Sequence, residues 1–141
     1  MDYLIDTNVI SELRKIKSRQ CNHGVQTWYQ AAIQHQHIFY LSWMTIGELY
    51  AGVFQCRRRH DEKQASILEA WIKTIEENYE NRLLPLSSDI IKIWGAILWP
   101  QDQHPIDKLI AATAMAHRLT VVTRNTHEFM NIDVAILNPF S

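Results

Sequence analysis

The chain has 141 residues, 47% of them hydrophobic and 21% charged, with only four Gly and four Pro. That length supports one domain with a real core, and that composition excludes a disordered segment. Fourteen basic against fifteen acidic side chains leave a formal net charge of −1, so any pull on nucleic acid has to come from local basic patches.

Two cysteines without close spacing, Cys21 and Cys56, exclude a disulfide framework or zinc ribbon and suit a reducing cytoplasm. No basic leader precedes the first apolar run, and the longest greasy stretch, 90–99, is broken by Lys92. The expectation is a cytoplasmic protein with no membrane span.

In chain order, the apolar run 3–5 predicts a first strand and residues 9–15 a short helix. Val25, Trp28, Tyr29, Ala32 and Ile33 share one helical face, and the aromatic, β-branched run 38–41 predicts the second strand. Ser42 can cap the next helix, where Ile46, Leu49, Tyr50, Val53 and Phe54 repeat at helical spacing and Glu48 sits off the centre of the stripe. Residues 57–60 interrupt it, and a long helix over 61–79 carries Ala65, Leu68, Ile72 and Ile75 on one side.

Residues 82–86 predict a brief third strand, and Ser88 the cap of a helix containing Ile91, Trp94, Ile97 and Leu98. Residues 100–105 read as a loop, 106–117 as an alanine-rich helix, and 119–123 and 134–137 as two further strands. Strands alternating with helices imply an α/β class, with a mostly parallel central sheet, helices on both faces, and a single domain over 1–141.

The chemistry centres on acids. Asp6 ends a buried strand, which puts a carboxylate at the mouth of a sheet where open α/β folds build sites. Such a carboxylate is costly unless it is hydrogen-bonded or bound to a cation. Asp107, beside Pro105 and Ile106 at a helix start, taken alone is an ordinary first-turn acid, and Glu48 taken alone an ordinary solvated one.

Gathered in one cleft, the three would repel one another and take up protons unless a divalent cation neutralised them. Magnesium meets that need, because it takes oxygen ligands and keeps waters for a phosphate and a nucleophile. The pattern reads as a metal-dependent hydrolase of phosphodiesters, with Thr7, Asn8, Ser11 and Thr123 able to orient acids or waters.

Four ordered blocks then resemble the PIN domain family over nearly the whole chain. They are Asp6-Thr7-Asn8-Val9-Ile10-Ser11-Glu12-Leu13; Ser42 with Thr45 and Glu48; Asp107-Lys108-Leu109-Ile110-Ala111-Ala112-Thr113-Ala114; and Thr123-Arg124-Asn125-Thr126-His127-Glu128-Phe129. Within that family the likeness is to VapC-type toxins of bacterial toxin-antitoxin pairs, including the FitB-like branch.

The resemblance implies a PIN-like fold and a Mg²⁺-dependent endoribonuclease, with Mn²⁺ as a possible substitute. It makes Asp6, Glu48 and Asp107 the catalytic residues and metal ligands, and it implies 5′-phosphate products from tRNA or another structured RNA. It further implies a cognate antitoxin that occludes the cleft, and a homodimer within a larger toxin-antitoxin assembly. At the fourth acid the chain departs from the family: Asn125 stands where many relatives carry an acid, and Glu128 precedes Phe129 where others have aspartate. Either residue is open for that position.

Arg14, Lys15, Lys17 and Arg19, the run Arg57-Arg58-Arg59-His60, and Lys108 and Arg124 beside the motifs are candidates for RNA phosphate contacts, with solvated surface as the alternative. The seven His lack zinc spacing, and the five Trp suit core or interface. A haloacid-dehalogenase-type phosphotransferase needs a second Asp where Asn8 stands, and no glycine-rich phosphate loop occurs. The stronger rival is a non-catalytic RNA-binding or inhibitor-binding module.

Overall fold

Each of the five short strands lies parallel to its neighbours in one sheet of order β3-β2-β1-β4-β5. They are β1 (Tyr3–Ile5), β2 (Phe39–Ser42), β3 (Leu83–Leu84), β4 (Thr120–Val122) and β5 (Ile136–Leu137). The helices are α1 (Thr7–Leu13), α2 (His23–Gln34), α3 (Trp43–Arg58), α4 (Glu62–Asn78), α5 (Ser88–Leu98) and α6 (Pro105–His117), and a 3-10 turn covers Thr126–Phe129. This computed structural model describes residues 1–99 and 103–141.

The strand order positions the site. From β1 the chain builds outward through β2 and β3 on one side, then returns to build β4 and β5 on the other. The order therefore reverses between β1 and β4, and the crevice at the carboxyl ends of those strands is where open α/β sheets place ligands. Ile5 pairs with Val122, so the next residues, Asp6 and Thr123, emerge side by side at that crevice.

Successive strand residues point to opposite faces, and Leu4 and Ile5 show it. Ile5 joins Val9, Val25, Leu41, Val53 and Ile72 in one core cluster. Leu4 joins Ile110, Ala111, Val121 and Phe129 in the other. Ala111, Ala112 and Ala114 of α6 are fully buried; their small side chains let that helix close on the sheet. Helices on both faces satisfy a sheet whose strands are apolar throughout.

Several expected boundaries shift for local reasons. Helix α1 begins at Thr7, because the Asp6 carboxylate accepts the Thr7 N–H and caps it. Ser87, not Ser88, caps α5, accepting from the Ile90 N–H at 3.3 Å. Strand β3 shrinks to two residues, since Pro85 has no N–H to continue the ladder. Of the loop expected over 100–105, residues 100–102 lie outside the described residues and Pro105 opens α6.

The apolar faces also prove narrower than their sequence stripes. Ile33, Phe54 and Ile91 are 51%, 62% and 43% exposed, and Ile90 occupies the buried place on α5. Trp43 and Trp99 lie outside the core as well.

The run 57–60 is structural in part: Arg57 pairs with Glu62 and Glu69 across the α3–α4 turn. The C-terminus folds back on α2, where the Asn22 side chain and the Gly24 N–H bond Ser141. A Cβ at Gly24 would fall 2.4 Å from the Pro139 carbonyl oxygen, so only glycine admits that approach.

Candidate metal centre

Asp6 forms the floor of the crevice, with only 3% of its surface exposed. Its Oδ1 accepts the Thr7 N–H at 2.8 Å, and its Oδ2 accepts the Thr123 hydroxyl at 2.8 Å and the Asn8 amide at 3.4 Å. Thr123 Oγ1 accepts in turn from the Asn125 N–H and from Asn8, while Asn8 Oδ1 accepts the Arg124 N–H. This net ties the ends of β1 and β4 together and fixes the Asp6 carboxylate in one orientation.

Burial still dominates, raising the Asp6 carboxyl above its ordinary value against those hydrogen bonds, and the Glu128 charge adds to the rise. Glu48 reaches in from α3, its Oε1 accepting the Thr7 hydroxyl at 2.5 Å. The residue is exposed at the rim, yet its carboxyl end is desolvated against the cleft wall. Its pKa is raised by that desolvation and by Asp6.

Asp107, in the first turn of α6, is the most perturbed of the acids. Burial and then the charges of Asp6, Glu128 and Glu48 push its carboxyl up to about 6, with His104 opposing. Asp107 therefore feels the charges of the other three acids across one crevice.

Among the described residues, the group whose ligand atoms all lie within 4.8 Å of one another is His104, Asp107 and Glu128. Asp6 and Glu48, hydrogen-bonded to Thr123 and Thr7 respectively, act on Asp107 of this trio through their charge. Of the two open candidates for the fourth position, Glu128 on the 3-10 turn points to Asp107. Asn125 contributes its backbone N–H to Thr123 instead.

His104 went unread in the sequence. Its spacing of three from Asp107 across a helix start was the available signal. Ser11, expected to support the acids, makes no hydrogen bond with them. Among the basic candidates, Lys108 and Arg124 neighbour motif residues in the chain, and Arg124 lies over the Phe140 ring at 4.9 Å. Arg14 and Lys15 follow the far end of α1, roughly 12 Å along the helix from Asp6. There Arg14 covers the Trp71 ring and Lys15 pairs with Glu12.

Carboxylates gathered in this way could hold a divalent cation, being hard oxygens that repel each other until a positive charge is shared among them. Protons compete for the same place. Because the Asp107 pKa is higher in the fold than its ordinary value of 3.8, the folded state binds the extra proton between about pH 4 and 6. The cation-free fold therefore loses that stabilisation as pH rises through the window. Adding Mg²⁺ is expected to raise the Tm little at about pH 5 and markedly above about pH 6. A shift that is independent of pH, measured by circular dichroism, would contradict this coupling.

The comparisons with known proteins agree with this fold. The family model for the PIN domain matches residues 3–134. The toxin FitB of Neisseria gonorrhoeae is 36% identical over 97% of both chains. A VapC ribonuclease of Sinorhizobium fredii, Y4jK, is 30% identical over 97% of this chain and 96% of its own. The crystal structure of FitAcB from N. gonorrhoeae superposes with a TM-score of 0.80 at 34% identity, covering 97% of each chain. With the PIN domain matched across most of its length and relatives that span nearly all of it, the chain belongs to the PIN domain family.

Proposed function

We propose that this protein is a Mg²⁺-dependent endoribonuclease, the toxin of a toxin-antitoxin pair, and that Asp6, Glu48, Asp107 and Glu128 form its catalytic cation site. The observation that carries the reading is the convergence of these four acids at the β1/β4 switch point, with each of Asp6, Glu48 and Asp107 raised in pKa. The similarity to toxin FitB and to a VapC ribonuclease supports the same reaction class.

A divalent cation bound there supplies charge for a phosphate oxygen and lowers the pKa of a water. Asp6, fixed by Thr7, Asn8 and Thr123, orients the site from below. Asp107 and Glu128 stand on the open side of the crevice, where a carboxylate can accept the proton of the attacking water. Attack in line forms the new P–O bond as the P–O3′ bond breaks, leaving a 5′-phosphate and a 3′-hydroxyl that gains a proton.

Lys108 and Arg124, which neighbour motif residues in the chain, would hold the RNA backbone, giving salt-dependent binding. Arg14 and Lys15 fit a more distant stretch of the same strand. The substrate proposed is tRNA or another structured RNA.

An open nuclease cleft is a hazard to its own cell, and the reading includes a cognate antitoxin that covers it in the cytoplasm. Mn²⁺ is the alternative ion. Trp43 and Phe54, exposed on one stripe of α3, support a homodimer within the larger assembly, since a second copy would bury them. No helix among the described residues is long and apolar enough to cross a membrane.

The purified chain incubated with RNA tests the proposal. Cleavage that stops on chelation and resumes with Mg²⁺ is expected, whereas RNA binding without cleavage would favour the non-catalytic rival.

A further inference from the structure

His104 stands apart from the carboxylates in chemistry but not in space. One of its ring nitrogens and one oxygen each of Asp107 and Glu128 lie within 4.8 Å of one another, close to the span of two ligands across a single ion at about 2.1 Å from each. The imidazole has little other work. His104 is the N-cap of α6, yet its side chain makes no capping hydrogen bond, and Pro105 removes one of the N–H groups a cap would serve. The residue is exposed, and its ring nitrogen already lies beside the two carboxylates.

Its backbone holds a left-handed conformation at φ 53° and ψ 55°, which sets its Cβ at the mouth of the site just before the turn that carries Asp107. The pair is spaced i, i+3 across the first turn of the helix and so shares one face.

We propose that His104 provides a nitrogen ligand to the divalent ion held by Asp107 and Glu128, and thereby tilts the site from magnesium towards manganese and other transition ions. The proposal rests on the reading of the acids as a cation site. Magnesium takes oxygen ligands and gives up its waters reluctantly, so an imidazole adds little to its binding. First-row transition ions accept imidazole readily, and a mixed nitrogen and oxygen set favours them. A site of four carboxylates alone carries no such bias. One nitrogen at its edge therefore decides which ion is held under competition.

The test uses the full chain, stripped of metal, with calorimetric titration of Mn²⁺ and of Mg²⁺ and with electron spin-echo spectroscopy of the bound Mn²⁺. Wild type is compared with His104→Ala and His104→Asn, the latter tolerating the left-handed backbone. Nitrogen coupling to Mn²⁺ is expected in wild type and absent in both variants. Mn²⁺ affinity is expected to fall by about tenfold or more in the variants, and Mg²⁺ affinity to change by less than about threefold.

If Mn²⁺ binds wild type without nitrogen coupling, or if the variants lose both ions equally, the role of His104 is overturned while the acidic site stands. If neither ion binds wild type, the acidic site itself fails and this inference with it.

Discussion

Asp6→Asn is expected to lower single-turnover RNA cleavage by about a thousandfold or more while leaving the protein folded. The exchange preserves shape and removes the charge that lies deepest in the crevice. Its structural cost is confined to Oδ2, where the Thr123 hydroxyl and the Asn8 amide, donors at 2.8 Å and 3.4 Å, lose their acceptor. The Thr7 N–H keeps an oxygen to bond, so α1 keeps its cap.

Burial raises the Asp6 pKa, which means the fold holds this carboxylate at a cost, and neutralising it relieves that cost. A Tm within a few degrees of wild type, read by circular dichroism, together with lost cleavage is the expected pair. Cleavage at the wild-type rate would remove Asp6 from the chemistry.

The second large effect separates the two candidates for the fourth position. Glu128→Gln is expected to reduce cleavage by about a hundredfold, and Asn125→Ala by less than about threefold. The reason is geometric. The Glu128 carboxylate shares the compact trio with Asp107 and His104, and its charge raises both Asp6 and Asp107. Asn125 takes part through its backbone N–H, which donates to Thr123 whatever its side chain is. Both rates come from one labelled-RNA assay, and the reverse ranking would return the fourth position to Asn125.

How far these features were legible in the sequence depends on whether the signal was local. The strand that ends on Asp6 follows from an apolar run meeting a carboxylate, and the α3 cap at Ser42 from its place before a helical stripe; the structure carries both. Parallel pairing followed from the alternation of strands and helices.

What failed was the breadth of apolar faces. Ile33 and Phe54 match their helical periods, yet no element packs over them, and a period does not say how wide the covering partner is. Ser87 and Ser88 compete for one cap, and only the backbone conformation settled it in favour of Ser87.

The site was half legible for a related reason. Asp6, Glu48 and Asp107 could be named from their blocks, but which of Asn125 and Glu128 faces them depends on the 3-10 turn Thr126–Phe129, which carries Glu128 to the trio and leaves Asn125 at the start of the turn. His104 was missed because an isolated histidine before a proline matches no metal spacing. Arg57 drew attention as a phosphate ligand, but it spends its charge on Glu62 and Glu69.

The central claim is that the four acids of the β1/β4 crevice act as one cation site for RNA hydrolysis. Its most direct test is cleavage by the purified chain after chelation and after return of Mg²⁺, with the chemistry of the new RNA ends read by sequencing. The account predicts no cleavage without the cation, recovery with it, and 5′-phosphate ends. Cleavage that persists without divalent cation, or products ending in 2′,3′-cyclic phosphate, would contradict it.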